Sequence, residues 1–339
     1  MSLSPKRATA VGIDIGGTNI KIALVAEGPT LLARQLLQMS TKEKPEATTL
    51  RLSQAVRQIG SASGPTLPAT GPDLPPAGRA LPPVGVGCAG LIDARLGIVK
   101  VSPNLVAWDN VPLASMLSKE LGVRVLLEND ANVFSVAEGF YGAASLARNA
   151  VFVTLGTGVG GGLKIENRMY TGSCGFAGEI GHITVDPDGP LCSCGNRGCL
   201  ESFAGSARIV SRARTLIEEE GKKKEWLSRG FSSLDDLTAK DLGEAAGQGN
   251  EIAERVFAEA GEYLGIALAG VVNFINPEII VIGGGVSKAG EPLFRAARAM
   301  VMRRAMAPSV KCVEIVPAKF GEDAGVIGAA MMVLRGEEG

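Results

Sequence analysis

Short apolar runs that stop on glycine recur along the chain. Val11-Gly-Ile-Asp-Ile15 reads as a β-strand, ends on Gly16-Gly17-Thr18 and resumes as Ile20–Ala26. Two such runs across a glycine turn predict a hairpin. From Pro45 to Ile59, residues Leu50, Ala55, Val56 and Ile59 keep helical spacing. Val84–Cys88, Val123–Leu127 and Val151–Leu155 read as buried strands, and Asp130–Tyr141 as a helix. Small and apolar residues from Gly261 to Val272 predict a buried helix, and Glu278–Ile282 a strand running into Gly283-Gly284-Gly285. Strands alternating with helices predict α/β architecture. No repeat of about 20–50 residues is evident.

Two stretches leave this pattern. Ser61–Pro83 is rich in Pro and Gly, lacks apolar periodicity and reads as an extended surface insertion. Glu218–Asp241 is charged and reads as a solvated helix-and-loop excursion.

The 339 residues are 46% hydrophobic and 20% charged, enough for packed cores in about two domains. A net charge of −1 supplies no surplus for nucleic acid or an anionic bilayer. No apolar run reaches the roughly 20 residues of a membrane span. The N-terminus lacks the apolar segment and cleavage site of a signal peptide, so the expected compartment is the cytoplasm. Glycine, at 45 residues, is well above its usual level of about 7% and is clustered.

Three glycine turns carry candidate chemistry. In Asp14-Ile-Gly-Gly-Thr18 the glycine pair lets backbone N–H groups approach phosphate oxygens, while Thr18 adds a hydroxyl and Lys21 a charge. Asp14 could hold Mg²⁺, through water. An ordinary hairpin turn would explain the glycines but not the acid and threonine beside them. Gly156-Thr157-Gly158 opens the second turn, which continues to Gly162. Its spacing matches a dinucleotide fingerprint, but the strand-like Leu-Lys-Ile that follows predicts a phosphate-holding hairpin instead. The third, Gly283–Gly285, ends a strand that opens toward a helix, and a glycine floor there suits a flat adenine. Together the turns suggest an ATP cleft between two domains.

His182, the only histidine, precedes Cys192-Ser-Cys194-Gly-Asn-Arg-Gly-Cys199 by ten residues. One histidine and three cysteines suit a structural zinc ion with all four positions filled. Buried thiols or a redox pair are the alternatives, and Cys88, Cys174 and Cys312 are expected to be non-ligands. The imidazole nitrogen away from the metal could donate to a ligand. A loop locked by zinc could then aim Glu179, His182 and Glu201 at one polyhydroxylated molecule. Leu126-Leu-Glu-Asn-Asp130-Ala-Asn sets polar residues after a strand and before a helix. Asp130 there is either the helix N-cap or a general base for phosphoryl transfer.

The Asp14–Thr18 turn, the Gly156–Gly162 turn, Glu179-Ile-Gly-His182 and the Cys192–Glu201 array together resemble the ROK family of sugar kinases and repressors. The resemblance runs from about Ala10 to Val333. It implies two ribonuclease-H-like domains of the actin-like ATPase superfamily around a central cleft. These would be a small N-terminal domain over 9–131, completed by a C-terminal helix at about 325–335, and a larger domain over 132–324. It implies ATP, Mg²⁺ and structural Zn²⁺, a hexose substrate, glucose foremost, and an assembly of two or four copies. By the same resemblance Asp130 takes the proton of the sugar 6-hydroxyl, and Asn104, Asn129, Glu179, His182 and Glu201 bind the sugar. Thr18, Gly158 and Gly284 fall in the phosphate and adenosine motifs. Fructose, N-acetylmannosamine or N-acetylglucosamine could replace glucose, polyphosphate could replace ATP, and a non-catalytic sugar sensor is a further alternative. Family repressors carry an N-terminal helix-turn-helix, for which the start of the first strand at about Thr9 leaves no room. The segment Asn129–Asn132 is expected to act as a hinge when sugar closes the domains.

Overall fold

The computed structural model describes residues 8–40, 42–61, 81–102 and 105–336. Asn104, and most of the stretch read as a surface insertion, lie outside the described residues. The chain divides into two compact units.

The first unit holds the chain up to Gly142, Thr171–Phe176, and the C-terminal stretch from Asp323. Strand β1 (Thr9–Ile15) turns back antiparallel into β2 (Asn19–Ala26), which pairs with β3 (Thr30–Gln38). Helix α1 (Pro45–Ser61) follows, and β4 (Val84–Cys88) then joins β1 in parallel. Three short strands, β5 (Leu91–Asp93), β6 (Ile98–Val101) and β7 (Asp109–Val111), make a separate antiparallel sheet. Helix α2 (Leu113–Leu121) leads into β8 (Val125–Asn129), parallel to β4, and α3 (Asp130–Phe140) follows at once. The order of the main sheet is β3-β2-β1-β4-β8. Ile13, Ile15, Ile22, Leu24, Val84 and Val86 form its core with Leu52, Val56 and Ile59 of α1. Leu50, assigned to that helical face from spacing, is instead 53% exposed, because the inward stripe begins at Leu52 and recurs at Val56 and Ile59.

The second unit follows the same plan. Strand β9 (Ala150–Leu155) turns antiparallel into β10 (Val159–Ile165), which pairs with β11 (Arg168–Met169). After the cysteine loop come α4 (Glu201–Ala204), α5 (Ser206–Glu219), α6 (Lys223–Leu227), α7 (Ala239–Gly247) and the long α8 (Glu251–Ile275). Strand β12 (Ile279–Gly283) lies parallel to β9; α9 (Glu291–Arg304), α10 (Ala307–Val310) and β13 (Glu314–Pro317) complete the order β11-β10-β9-β12-β13. Helix α8 is long and apolar enough to cross a membrane, but Phe257, Leu264, Leu268 and Val272 are buried in the core of this unit.

The excursion at Glu218–Asp241 is less solvated than its charge suggests. Trp226 is wholly buried, and Leu234 and Leu237 join the same core. Part of the charge is local capping: Ser233 with Asp236, and Thr238 with Asp241, form capping boxes.

Helix α11 (Ala324–Arg335) belongs to the first unit and lies across β1 and β4. The strand glycines permit this approach. A Cβ on Gly12 would sit 1.9 Å from the Val326 carbonyl oxygen, and one on Gly85 1.8 Å from that of Ala329. Gly328 of α11 meets α3 as closely, 1.7 Å from the Val133 oxygen. That contact holds all of α3 in the first unit, so its first segment runs to Gly142 rather than ending at 131. Residues 129–132, expected to be a hinge, are the capped start of α3 inside this unit.

Candidate functional site

In the first unit the parallel strands β1, β4 and β8 end side by side. Ile15 pairs with Cys88, and Cys88 with Asn129. Asp14 and Asp130 are thereby brought to the same edge of the sheet. Asn129, not Asp130, caps α3: its Oδ1 accepts from the Ala131 N–H at 2.8 Å and the Asn132 N–H at 3.3 Å. Its Nδ2 donates to the Gly90 carbonyl at 3.0 Å. With the cap supplied by its neighbour, Asp130 is the first helical residue, and its Oδ1 accepts from Ala131 N–H at 3.0 Å.

Burial pushes the Asp130 carboxyl above its ordinary range. Asp14 is pushed up to about 6 by burial and then by the charge of Asp130, with Lys21 opposing. Lys21 is the cross-strand partner of Asp14. The Gly16 N–H donates to the Asn19 carbonyl at 3.0 Å and closes the turn, leaving Thr18 exposed. A Cβ on Gly325 would lie 2.5 Å from Asp14 Oδ2, so the first turn of α11 rests against this carboxylate. Cys88 is fully buried, and burial, Asp130 and Asp14 all push its thiol up, which keeps it protonated.

In the second unit the Gly156–Gly158 turn joins β9 to β10 as a hairpin, closed by Gly156 N–H donating to the Gly158 carbonyl at 2.9 Å. Glu201 backs it: Oε2 accepts from the Val159 N–H at 3.1 Å, and a Cβ on Gly158 would sit 2.3 Å from that oxygen. Thr157 at the tip is exposed. The third glycine turn lies beside the second, since Gly283 pairs with Thr154. Gly284 has φ +89° and leaves 2.3 Å between a Cβ and the Leu155 oxygen, so only glycine fits. Gly285 is exposed and leads into the turn Val286–Ala289.

Gly178 and Gly181 lay the next segment flat on β10. A Cβ on Gly178 would be 2.9 Å from the Gly161 oxygen, and one on Gly181 2.0 Å from that of Val159. This seats Glu179, exposed, at the start of the 3₁₀ turn Ile180–His182. His182, Cys192, Cys194 and Cys199 then bring four ligand atoms within 4.8 Å of one another. Cys192 Sγ lies 3.7 Å from His182 Nδ1, and Cys194 Sγ 3.7 Å from Cys199 Sγ. A tetrahedral ion with thiolates at about 2.3 Å has edges of roughly this length. Burial tends to raise the Cys192 thiol, but hydrogen bonds from Cys194, His182 and Ser202 bring it down to about 6. Burial, then Cys194 and Cys192, push Cys199 up to about 12. One cation would relieve that crowding. Nδ1 faces the thiols, which leaves Nε2 as the ring nitrogen away from them. Glu201 Oε1 accepts from Ser193 Oγ of the same loop at 3.0 Å.

Each unit therefore sets glycine turns and carboxylates at the ends of a β3-β2-β1-β4-β8 type sheet. The ROK family model matches residues 10–336. The chain belongs to the ROK family. A glucokinase from Thermotoga maritima is 36% identical over 95% of this chain and 96% of that protein. A xylose repressor from Caldicellulosiruptor bescii is 32% identical over 74% of this chain and 62% of that protein. Among solved structures, a ROK family glucokinase from Streptomyces griseus in complex with glucose and AMPPNP superposes with a TM-score of 0.82. It shares 30% identity and covers 96% of this chain and 99% of its own. The fold of this ROK chain is accordingly the α/β fold of those kinases.

Two residues of the site, Glu128 and Ser193, carry no role in the motifs above. Glu128 is a buried acid within the strand–helix corner, and Ser193 holds Glu201. The acid in a Leu-Leu-Glu-Asn run was a usable signal for Glu128. Ser193 carries none beyond its place between two cysteines.

Proposed function

We propose that this ROK protein transfers the γ-phosphoryl group of ATP to a hexose, glucose foremost, at its 6-hydroxyl. The observation that carries the reading is Asp130. It stands at the carboxyl ends of the parallel strands β1, β4 and β8, relieved of capping by Asn129 and raised by burial above its ordinary range, which makes it a stronger proton acceptor. Its carboxylate accepts the proton as the sugar oxygen attacks phosphorus. Phosphoryl transfer asks little more than positioning and charge neutralisation. The N–H groups of Gly17, Thr18, Thr157 and Gly158 serve the phosphates, those of Gly16 and Gly156 closing their own turns, with Lys21 adding charge, and Gly283–Gly285 serves the adenosine. Mg²⁺ entering with the nucleotide neutralises phosphate charge. Asp14, a half-buried carboxylate beside Lys21, suits a water-mediated hold on it.

Glu179, the Nε2 of His182, Asn129 and Glu201 are assigned to the sugar hydroxyls, as is Asn104. The Cys₃His cluster takes structural zinc, which fixes the His182 ring and the loop carrying Glu201. The same donors could grip other hexoses. The glucose- and AMPPNP-bound neighbour supports glucose and ATP. The test is a coupled assay over glucose, fructose, mannose, N-acetylglucosamine and N-acetylmannosamine with Mg²⁺ and either ATP or polyphosphate. Turnover of glucose with ATP is expected. Sugar binding without turnover would replace the kinase by a sensor.

A further inference from the structure

The corner between β8 and α3 contains a buried acid that the proposed reaction does not use. Glu128 is 5% exposed and forms no ion pair among the described residues. Its Oε1 accepts from the Asn129 backbone N–H at 2.8 Å and from Asn132 Nδ2 at 3.0 Å. The other end of that amide is the anomaly: Asn132 Oδ1 is buried without a hydrogen-bond partner, on a residue itself 5% exposed. An orphaned buried acceptor carries its full desolvation penalty, so such atoms are rarely left unserved. An ionised carboxylate cannot serve it, because it only accepts. A neutral carboxyl can, since it keeps one acceptor oxygen and gains one O–H donor.

We propose that Glu128 is a positioning residue held as the neutral carboxylic acid, donating Oε2–H to Asn132 Oδ1 while Oε1 accepts from Asn132 Nδ2. The closed acid–amide pair clamps the first turn of α3 to the last residues of β8. Asn129 is fixed by this clamp through its N–H, by Gly90 through Nδ2, and by its capping bonds. Asp130, the next residue, is aimed by the corner so formed. Among the described residues, no element packed on β8 sets a cation against Glu128. Strand β4 sets Gly87 beside it, and α3 contributes Asn132, Asp130 at its start and, farther along, a second acid, Glu138. In α2, Lys119 and Glu120 are exposed; Asp93 of β5 pairs with Lys100; α11 has no charge before Arg335. Burial, which raises the Glu128 carboxyl, agrees with the neutral form.

The inference rests on the reading of Asp130 as base, but its test includes a readout independent of catalysis. Gln reproduces the neutral acid in shape, with an N–H where the carboxyl has its O–H. Glu128→Ala is expected to lower kcat at least about tenfold with KM for ATP little changed, as misaiming a base should. Glu128→Gln is expected to restore it. Infrared difference spectra of wild type minus Glu128→Gln at pH 7 should show the C=O stretch of a protonated carboxyl, whether or not Glu128→Ala folds. A carboxylate band in its place, or Glu128→Gln as impaired as Glu128→Ala, would overturn the proposal. Should Asp130→Asn turn over normally while the protonated-carboxyl band is present, the base assignment falls and the clamp stands.

Discussion

Asp14 and Asp130 are carboxylates placed where their charge is disfavoured, and this ties catalysis to stability at the level of single residues. Asp14 rises from 3.8 to about 6 on folding, so the folded chain binds its proton more tightly than the unfolded one. The stability this contributes is full below the unfolded value and is lost as pH rises through about 6. Asparagine cannot ionise and removes the loss. The melting temperature of Asp14→Asn relative to wild type, without nucleotide, should therefore climb from pH 4 to pH 7. A constant gap would refute the burial argument. The Asp130 shift has the same direction and cause, so Asp130→Asn should behave alike. Its kcat should fall about 10²–10⁴-fold, the usual worth of a base, with sugar affinity retained. A near-normal kcat would reduce Asp130 to a structural residue. That Asp130 is not the cap was beyond the sequence. Asn, Asp and Asn stand within four residues, and only backbone geometry shows that Asn129 takes the N–H groups.

At the scale of elements the strands and hairpins were legible, because glycine after an apolar run has one physical meaning when another apolar run follows. The β1–β2 and β9–β10 hairpins both follow from that pattern. Glycine inside a strand is a different signal, and Gly12 and Gly85 passed as ordinary strand residues. Their reason lies more than 200 residues away in α11, where the Val326 and Ala329 carbonyls take the space of a side chain. Alanine at Gly85 should push helix from sheet and cost at least the about 1–3 kcal/mol typical of overpacking, read as a fall in the chemical-denaturation midpoint. Gly243, with open space around it, is the control and should tolerate alanine. Equal effects at both positions would discredit close helix–sheet approach as the reason for the strand glycines. The charged stretch at Glu218–Asp241 misled for a related reason. Composition reports the capping acids and exposed lysines, while one tryptophan and two leucines decide that the segment is anchored.

The whole molecule is one sheet plan used twice, an antiparallel hairpin extended by two parallel strands, and no repeat in the sequence betrays it. Thr9–Ile15 and Ala150–Leu155 occupy matching places and share little beyond an Ala-Val pair, because a buried strand demands only apolar bulk. What differs between the copies is chemistry: Asp14 and Asp130 in one unit, and the metal-type loop with Glu201 against the phosphate-type hairpin in the other. Each unit has its own hydrophobic core, Val11 to Leu127 in the first and Val151 to Ile315 in the second. Removal of zinc should therefore act locally. Protein purified without added metal is expected to hold about one zinc per chain, bound by the four Cys₃His ligands. Chelation releases the clustered thiols and frees the loop that carries Ser193 and Glu201. Glu201 in turn releases Val159 N–H at the hairpin. Hydrogen exchange should accelerate over 182–205 and at the start of β10 while the amides of β1 and β4 stay protected, because those strands are held by the separate core of the first unit. Exchange rising equally in β1 would refute the local relay, and unaltered exchange at Val159 would remove Glu201 as its link.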